Sequence, residues 1–227
     1  MNKKIHAIWL GGSMNAMTFA CIDDWDKQGY QYKLWTELDP EIMQWIEGCR
    51  FAKECYQRGL YAFVTDYLRL KVLKQDGGLY LDTDVTIQKD FSSLFEDIQF
   101  SVGYESINEL GTAIIYAKNS SKILDRLIRF YEEDIYDSPL FMGPSIMTHF
   151  VISENIQAQE NCKLYPLEYF YNYQGESKSF VKSSNSYLIH WFQHSWKNPQ
   201  KTQYLRSKHM GLLGKLYVWQ KYFFRLN

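Results

Sequence analysis

Residues Gly78-Leu79-Tyr80-Leu81-Asp82-Thr83-Asp84 predict a short buried strand that ends on two aspartates. Because successive side chains of a strand point to opposite faces, Asp82 and Asp84 are expected to point the same way. Two such carboxylates repel each other and are costly to desolvate, and a hard divalent cation suits them best. A cation held by two protein oxygens keeps room for phosphate oxygens. The stretch therefore indicates chemistry on a diphosphate, although an isolated Asp-x-Asp is more often a surface turn.

The regions before and after this strand predict an α/β domain. Residues from about 59 to 75 have apolar side chains at helical spacing, and Gly77 and Gly78 supply a left-handed helix end. Further predicted strands are 5–10, 30–36, 100–104, 112–117, 163–165 and 187–189, and further predicted helices are 15–27, 40–50 and 121–131, with another starting at Pro144. Ligands of open α/β sheets collect outside the carboxyl ends of the strands, where the two aspartates are expected.

Length and composition limit the class of protein. The chain has 227 residues, which suits one domain with appendages, and it is rich in Tyr, Phe and Trp. Its four cysteines lack paired metal-ligand spacing and predict reduced thiols, which favours a cytoplasmic location. Neither a signal peptide nor a run of 18 apolar residues is present in the sequence.

Charge is distributed unevenly along the chain. Nine basic and no acidic residues follow Glu176, although the whole chain has a net charge of −1. We therefore predict a catalytic domain over residues 1–200 and a basic amphipathic helical segment over 201–227 that contacts a membrane surface. The alternative is a C-terminal helix docked on its own domain. Nucleic acid is not expected as a partner, because no RNA- or DNA-binding module accompanies the tail. The apolar stripe of this segment comprises Leu212, Leu216, Trp219, Phe223 and Leu226.

Asp66 and Arg69 are candidates for contacts with a ligand. They lie three positions apart on the helix predicted before the aspartates and share one helix face. Facing the same cleft as Asp82 and Asp84, Asp66 would accept hydrogen bonds from sugar hydroxyls, and Arg69 would offer a planar cation to phosphate or a sugar oxygen. Facing solvent, they would form an ion pair worth at most about 1 kcal/mol.

Aromatic and polar residues at both ends of the domain are further candidates. Trp9 ends the first predicted strand, and its indole is either a core side chain or a stacking partner for a nucleotide base. The segment 189–196 is dense in polar and aromatic groups. One imidazole or a serine hydroxyl there would complete a metal or diphosphate site, and the alternative is a structural histidine. The residues concerned are His190, His194, Ser195 and Trp196.

Together these motifs resemble glycosyltransferase family 32, the DXD-containing sugar transferases that include yeast initiating mannosyltransferases and bacterial capsular polysaccharide transferases. The early motifs also resemble the glucosylating domain of large clostridial toxins. The resemblance spans about residues 4 to 197. It rests on residues 5–12, 65–69 and 77–84, on Gly143-Pro144, and on His190 followed by Ser195-Trp196.

The resemblance implies a GT-A fold, in which a mixed central sheet flanked by helices forms a single nucleotide-sugar-binding domain. It implies a UDP-sugar donor, Mn²⁺ or Mg²⁺ as cofactor, and transfer with retention. The residues implied as catalytic are Asp66, Arg69, Asp82 and Asp84; those implied to bind the nucleotide-sugar are Ile8, Trp9, Leu10, Tyr80, Asp82, Ser195 and Trp196; those implied to bind the metal are Asp84 and His190.

The predicted function is that of a metal-dependent hexosyltransferase. It would extend a glycan or lipid-linked oligosaccharide in capsular or exopolysaccharide synthesis, as a cytoplasmic protein at the inner face of the cell membrane. Two alternatives belong to other classes: an inactive module that binds a nucleotide or glycan, and a toxin-like glycosyltransferase acting on protein. The intact acids at positions 66, 82 and 84 disfavour the inactive module.

Overall fold

A computed structural model describes residues 4–175, 180, 183–192, 205, 208–210, 212–213 and 216. The strands are β1 (Ile5–Ile8), β2 (Tyr32–Trp35), β3 (Gly78–Leu81), β4 (Val85–Ile87), β5 (Phe100–Tyr104), β6 (Leu110–Ala117), β7 (Cys162–Tyr165) and β8 (Leu188–His190). The helices are α1 (Ala16–Lys27), α2 (Pro40–Gly48), α3 (Arg50–Gln57), α4 (Tyr61–Asp76), α5 (Lys122–Arg129), α6 (Gly143–Thr148) and α7 (Leu167–Phe170).

Six strands form a mixed sheet in the order β2-β1-β3-β6-β5-β7. Strands β2, β1 and β3 are parallel to one another, β6 is antiparallel to both β3 and β5, and β7 is parallel to β5. The parallel part follows from the chain order, since helices α1 to α4 connect these strands. The expected α/β architecture with a mixed central sheet is confirmed.

Both faces of the sheet are buried, as its near-continuous apolar strands require. On β3, Tyr80 packs into the core beneath helices α2 to α5, whereas Leu79 and Leu81 pack into a second core on the opposite face. On β6, Ile115 belongs to the first core and Ile114 to the second. This alternation fixes the strand register, because a one-residue slip would exchange the two faces.

Glycines at the end of α4 turn the chain sharply into β3. Gly77 has φ 63° and its N–H donates to the Leu73 carbonyl at 2.8 Å, while Gly78 has φ 109°. Such backbone conformations favour glycine, as the sequence predicted. The turn brings α4 and β3 side by side, so Asp66 and Arg69 on the helix lie near the aspartates that follow the strand.

The two aspartates are not part of one strand, which corrects the alternation argument. Strand β3 ends at Leu81, and Asp82 to Asp84 form a turn in which the Val85 N–H donates to the Asp82 carbonyl at 3.2 Å. The chain continues as β4, which the sequence did not predict and which pairs antiparallel with β8. This turn, rather than strand alternation, orients both carboxylates.

The described part of the C-terminal segment contacts the domain and also exposes apolar side chains. Leu205 is buried in the first core, and Lys208 Nζ donates to the carbonyls of Ile135, at 2.5 Å, and Ser138. Burial lowers the pKa of Lys208 to about 8. Farther along, Leu212, Leu213 and Leu216 are 60–78% exposed. The rest of the predicted apolar stripe, namely Trp219, Phe223 and Leu226, lies outside the described residues.

A search of the described residues for a membrane-spanning helix finds none with the required length and apolar character.

Candidate active site

A cavity of about 720 Å³ opens at the carboxyl ends of β1 and β3. Its volume is typical of a small-molecule site. It is lined by every described residue that the sequence singled out for ligand, metal or donor contacts: Ile8, Trp9, Leu10, Asp66, Arg69, Tyr80, Asp82, Asp84 and His190. The other candidates, His194, Ser195 and Trp196, lie outside the described residues. The cavity thus brings together positions from the first strand to the last.

Asp82, Asp84 and His190 form a cluster at one end of the cavity. Each offers a ligand atom, and the three atoms lie within 4.8 Å of one another. Strand pairing is the cause, because β4 and β8 align Val85 with His190 and the Trp191 N–H donates to the Asp84 carbonyl at 3.0 Å. Burial opposes a charge on His190, but the Asp84 carboxylate, 3.3 Å from Nε2, outweighs it together with Asp82 and Glu105, so the pKa of the imidazole is raised.

The chemistry of this cluster fits a hard divalent cation. Carboxylate oxygens and an imidazole nitrogen are ligands that Mg²⁺ and Mn²⁺ accept, and the set leaves positions for substrate oxygens. His190 Nδ1 is fully buried and has no hydrogen-bond partner among the described residues. Its ring packs against aromatic neighbours instead. The distance between ring centroids is 4.3 Å to Phe192 and 5.6 Å to Tyr171.

Arg69 is the buried cation of the cavity, with only 5% of its side chain exposed. Its guanidinium lies 3.2 Å from the Asp66 carboxylate and 3.4 Å from that of Asp82, and Nη1 donates to the Thr112 carbonyl at 2.5 Å. Burial disfavours its charge, but Asp82 and Asp66 outweigh this effect and raise the pKa of Arg69. The prediction that Asp66 and Arg69 turn to the same cleft as the aspartates is therefore confirmed, and the solvent-exposed ion pair is excluded.

Asp66 is held in place by backbone as well as by Arg69. Its Oδ2 accepts a hydrogen bond from the Gly143 N–H at 3.2 Å, which explains why the Gly143-Pro144 pair belongs to the site. A Cβ on Gly143 would lie 2.5 Å from Asp66 Oδ1, so only glycine permits this approach. Burial raises the pKa of Asp66 to about 6, against the opposing charge of Arg69.

Trp9 lines the cavity wall and is only partly buried, so it is not a core side chain. Its indole N–H donates to the Gly12 carbonyl at 2.8 Å, which fixes the ring against its own loop. The same loop packs on Tyr61, since a Cβ on Gly11 would lie 2.0 Å from that ring. An indole held in this way offers a flat surface to a ligand.

The hairpin between β5 and β6 contributes residues that the sequence did not predict. Glu105 and Glu109 both line the cavity, and Ser145 donates its hydroxyl to Glu109 at 2.7 Å. The sequence did contain one indication of this role, because Glu105 directly follows a predicted strand, as Asp82 does. The expected fold alone did not show that β5 ends at the same cavity.

Comparison with known proteins agrees with this geometry. Residues 15–101 match the family described as "Glycosyltransferase sugar-binding region containing DXD motif". Over these residues the chain is similar to the DXD-containing glycosyltransferases. The matched residues include Asp66, Arg69, Asp82 and Asp84, and this confirms the resemblance to family 32.

A curated relative matches part of this chain. The chain is 28% identical over 116 residues to subversion of eukaryotic traffic protein A of Legionella pneumophila subsp. pneumophila (strain Philadelphia 1). The match covers 40% of the chain and 18% of the relative, so the chain spans less than a fifth of that protein's length.

Solved structures share the fold of this chain. PaToxG glycosyltransferase is 22% identical with a TM-score of 0.50, and the match covers 69% of this chain and 72% of that one. The ligand-free glycosyltransferase domain of the YGT toxin is 10% identical with a TM-score of 0.51, and the match covers 72% of this chain and 79% of that one. These likenesses confirm the GT-A fold expected from the sequence.

Proposed function

We propose that this chain transfers a sugar from a UDP-sugar to an acceptor hydroxyl, using a divalent cation. The observation that carries the proposal is the grouping of Asp82, Asp84 and His190 in a cavity that also holds a buried arginine. A bound divalent cation supplies positive charge to the departing diphosphate. Around it, Asp82 and Asp84 hold the metal end of the cavity, and Trp9 offers its ring to the uracil base.

In this proposal Arg69 and Asp66 position the donor sugar. Arg69 is fixed by Asp66, Asp82 and the Thr112 carbonyl, so its guanidinium needs no reorganisation when negative charge develops on the leaving group. Asp66 keeps its carboxylate at the cavity surface through the Gly143 N–H and is available to sugar hydroxyls. The proposed set of catalytic residues is therefore Asp66, Arg69, Asp82 and Asp84, and retention of anomeric configuration rests on the family resemblance.

Calorimetric titration of the chain with UDP, with and without Mn²⁺, tests the donor and the cation. We expect binding that requires the cation, and release of UDP from a UDP-sugar in the same buffer. UDP-glucose, UDP-galactose and UDP-N-acetylglucosamine, with GDP-mannose as the contrast, would identify the donor. Absence of cation-dependent nucleotide binding would overturn the proposal.

For the acceptor we propose a lipid-linked oligosaccharide at an anionic membrane surface. Supporting this, nine basic and no acidic residues follow Glu176, and the exposed side chains of Leu212, Leu213 and Leu216 are suited to an interface. The protein would then act at the inner face of a membrane. Flotation with anionic liposomes tests this, using a chain in which these three leucines are replaced by serine.

The matched control for flotation is Leu38→Ser, because Leu38 is 92% exposed and lies far from the tail in sequence. We expect the triple variant to lose liposome binding and the control to keep it. Equal flotation of both would favour the other acceptor class, protein. A protein acceptor is also favoured by the partial match to a Legionella protein named for subverting eukaryotic traffic.

A further inference from the structure

The loop that follows β1 is fastened to the β2–α2 region by two hydrogen bonds. The Trp9 N–H donates to the Trp35 carbonyl at 2.9 Å, which continues the β1–β2 pairing beyond the strands. Two positions later, the Gly11 N–H donates to Glu37 Oε1 at 2.7 Å. A charged acceptor makes such a bond shorter and stronger than a neutral one. Glu37 therefore anchors the outer part of the loop to the turn after β2.

The glycines of this loop make it depend on contacts from outside. Gly11 and Gly12 have φ values of 83° and 98°, which glycine adopts readily and other residues rarely do. Because glycine also has the most conformational freedom, two in succession give the loop little preference of its own. The Tyr61 ring packs against Gly11, and the Glu37 carboxylate accepts from its N–H. These two contacts select one conformation of the loop.

The Trp9 indole takes its orientation from the same loop. Its Nε1–H donates to the carbonyl of Gly12, the residue next to the one that Glu37 holds. A shift of the loop would therefore move the Gly12 carbonyl and turn the indole with it. Trp9 and Tyr61 line the cavity, whereas Glu37 does not. A contribution of Glu37 to ligand binding thus passes through the loop rather than through direct contact.

We propose that Glu37 is a positioning residue for the nucleobase, because it holds the Trp9 indole in the orientation that stacks on the base of the donor. This inference rests on the proposed use of a UDP-sugar. An indole that is already oriented before the ligand arrives lowers the ordering cost of binding. Loss of the Glu37 carboxylate should therefore weaken binding of the base. Binding of the diphosphate, at the cluster of Asp82, Asp84 and His190, should not change.

Calorimetric titration of the full chain with two probes, at a fixed Mn²⁺ concentration, separates these two parts of the donor. UDP reports on the base and the diphosphate together, whereas inorganic pyrophosphate reports on the diphosphate alone. The chains compared are wild type, E37A, E37Q, W9A and the double variant W9A/E37A. The matched control is E96A, because Glu96 is an exposed glutamate outside the cavity. Thermal unfolding shows that each chain is folded before it is titrated.

If Glu37 acts through Trp9, the effects of the two substitutions on UDP affinity are not additive. W9A should lower UDP affinity about 5- to 150-fold, as expected when the aromatic partner of a base is replaced by alanine. E37A should lower it about 3- to 10-fold, the effect of ordering one more side chain on binding. In the W9A background, E37A should cause no further loss, because both changes remove the same interaction.

Further results distinguish positioning from a general loss of structure. E37Q should recover most of the UDP affinity, since its side-chain carbonyl still accepts from the Gly11 N–H. Pyrophosphate affinity should be the same in wild type, E37A and E96A. In assays of UDP release from the UDP-sugar, E37A should raise KM and leave kcat unchanged, as expected for binding that is equal in the ground state and the transition state.

Three results would overturn the inference alone. The first is UDP binding by E37A that is as tight as that of wild type. The second is an equal loss on adding E37A to wild type and to W9A, which would show that Glu37 acts independently of the indole. The third is a matching loss of pyrophosphate affinity, which would indicate disturbance of the whole cavity. A wild-type chain that binds no UDP with Mn²⁺ would instead overturn the proposed function, and the inference with it.

Discussion

Replacing Gly143 by alanine tests whether the backbone of α6 positions the Asp66 carboxylate. The new Cβ would lie 2.5 Å from Asp66 Oδ1 and 2.6 Å from its Cγ. An ordinary contact is about 3.5 Å, so the carboxylate has to move by about 1 Å. That movement disturbs the 3.2 Å hydrogen bond from Gly143 and the 3.2 Å contact with Arg69 together. Gly143 does not have a positive φ, so steric overlap is the direct cause.

Both stability and turnover should respond to G143A. Inserting a methyl group into a packed site costs about 1–3 kcal/mol, which lowers Tm by roughly 2–12 °C for a domain of this size. A displacement of about 1 Å in a positioning group can lower turnover about 10²-fold. Thermal unfolding and UDP release with Mn²⁺ measure the two effects.

Gly48→Ala is the matched control for G143A. Gly48 ends α2 and has no atom within 4 Å of an added Cβ. Its replacement should leave turnover unchanged and Tm unchanged or slightly higher, since alanine is the better helix former. If G143A unfolds and turns over like wild type, Asp66 does not depend on this contact and the positioning argument is wrong.

Three further predictions concern the charges of the cavity. Asp84→Asn should abolish the Mn²⁺-dependent rise in Tm and lower UDP release by at least about 10²-fold, whereas Asp23→Asn, at an exposed ion pair, should leave both unchanged. Arg69→Met leaves the partly buried Asp66 and Asp82 beside no cation and should lower the free energy of unfolding in urea titrations by about 3–5 kcal/mol, whereas Arg129→Met at the exposed surface should leave it nearly unchanged. Because the pKa of Glu105 is raised from 4.5 to about 7 on folding, the native state binds more protons than the unfolded state between these pH values. The stability of metal-free wild type relative to E105Q should therefore fall as pH rises through this window. A difference in the free energy of unfolding that stays constant with pH in urea titrations would contradict the pKa shift.

Much of the fold was predictable because local signals agreed with one another. The alternation of strands and helices predicted an α/β sheet, and the glycine pair after α4 predicted the turn into β3. The helical spacing of Asp66 and Arg69 placed them on one face, which the structure confirms. In each case the physical cause lies within about twenty residues of sequence.

Features that depend on long-range pairing were not predictable in the same way. Strand β4 has three residues and is stabilised by β8, about a hundred positions later, so its own sequence carries little signal. The turn from Asp82 to Asp84 was mistaken for a continuing strand for this reason. Glu105 and Glu109 were missed because their role depends on where the β5–β6 hairpin ends in space. Predictions for Ser195, Trp196 and the tail beyond Leu216 stay predictions, as does the division at residue 200.

The small β4–β8 ladder links the order of synthesis to the appearance of activity. Asp84 is made early, but the strand that carries His190 joins it only after more than a hundred further residues have been added. A nascent or truncated chain that stops before residue 188 would contain Asp82 and Asp84 but lack the imidazole of His190. It would also leave the edge of β4 unpaired and open to association with other chains. Fragments of this protein are therefore expected to be inactive and prone to aggregate, so that a competent site and a protected sheet edge arise in the same folding event.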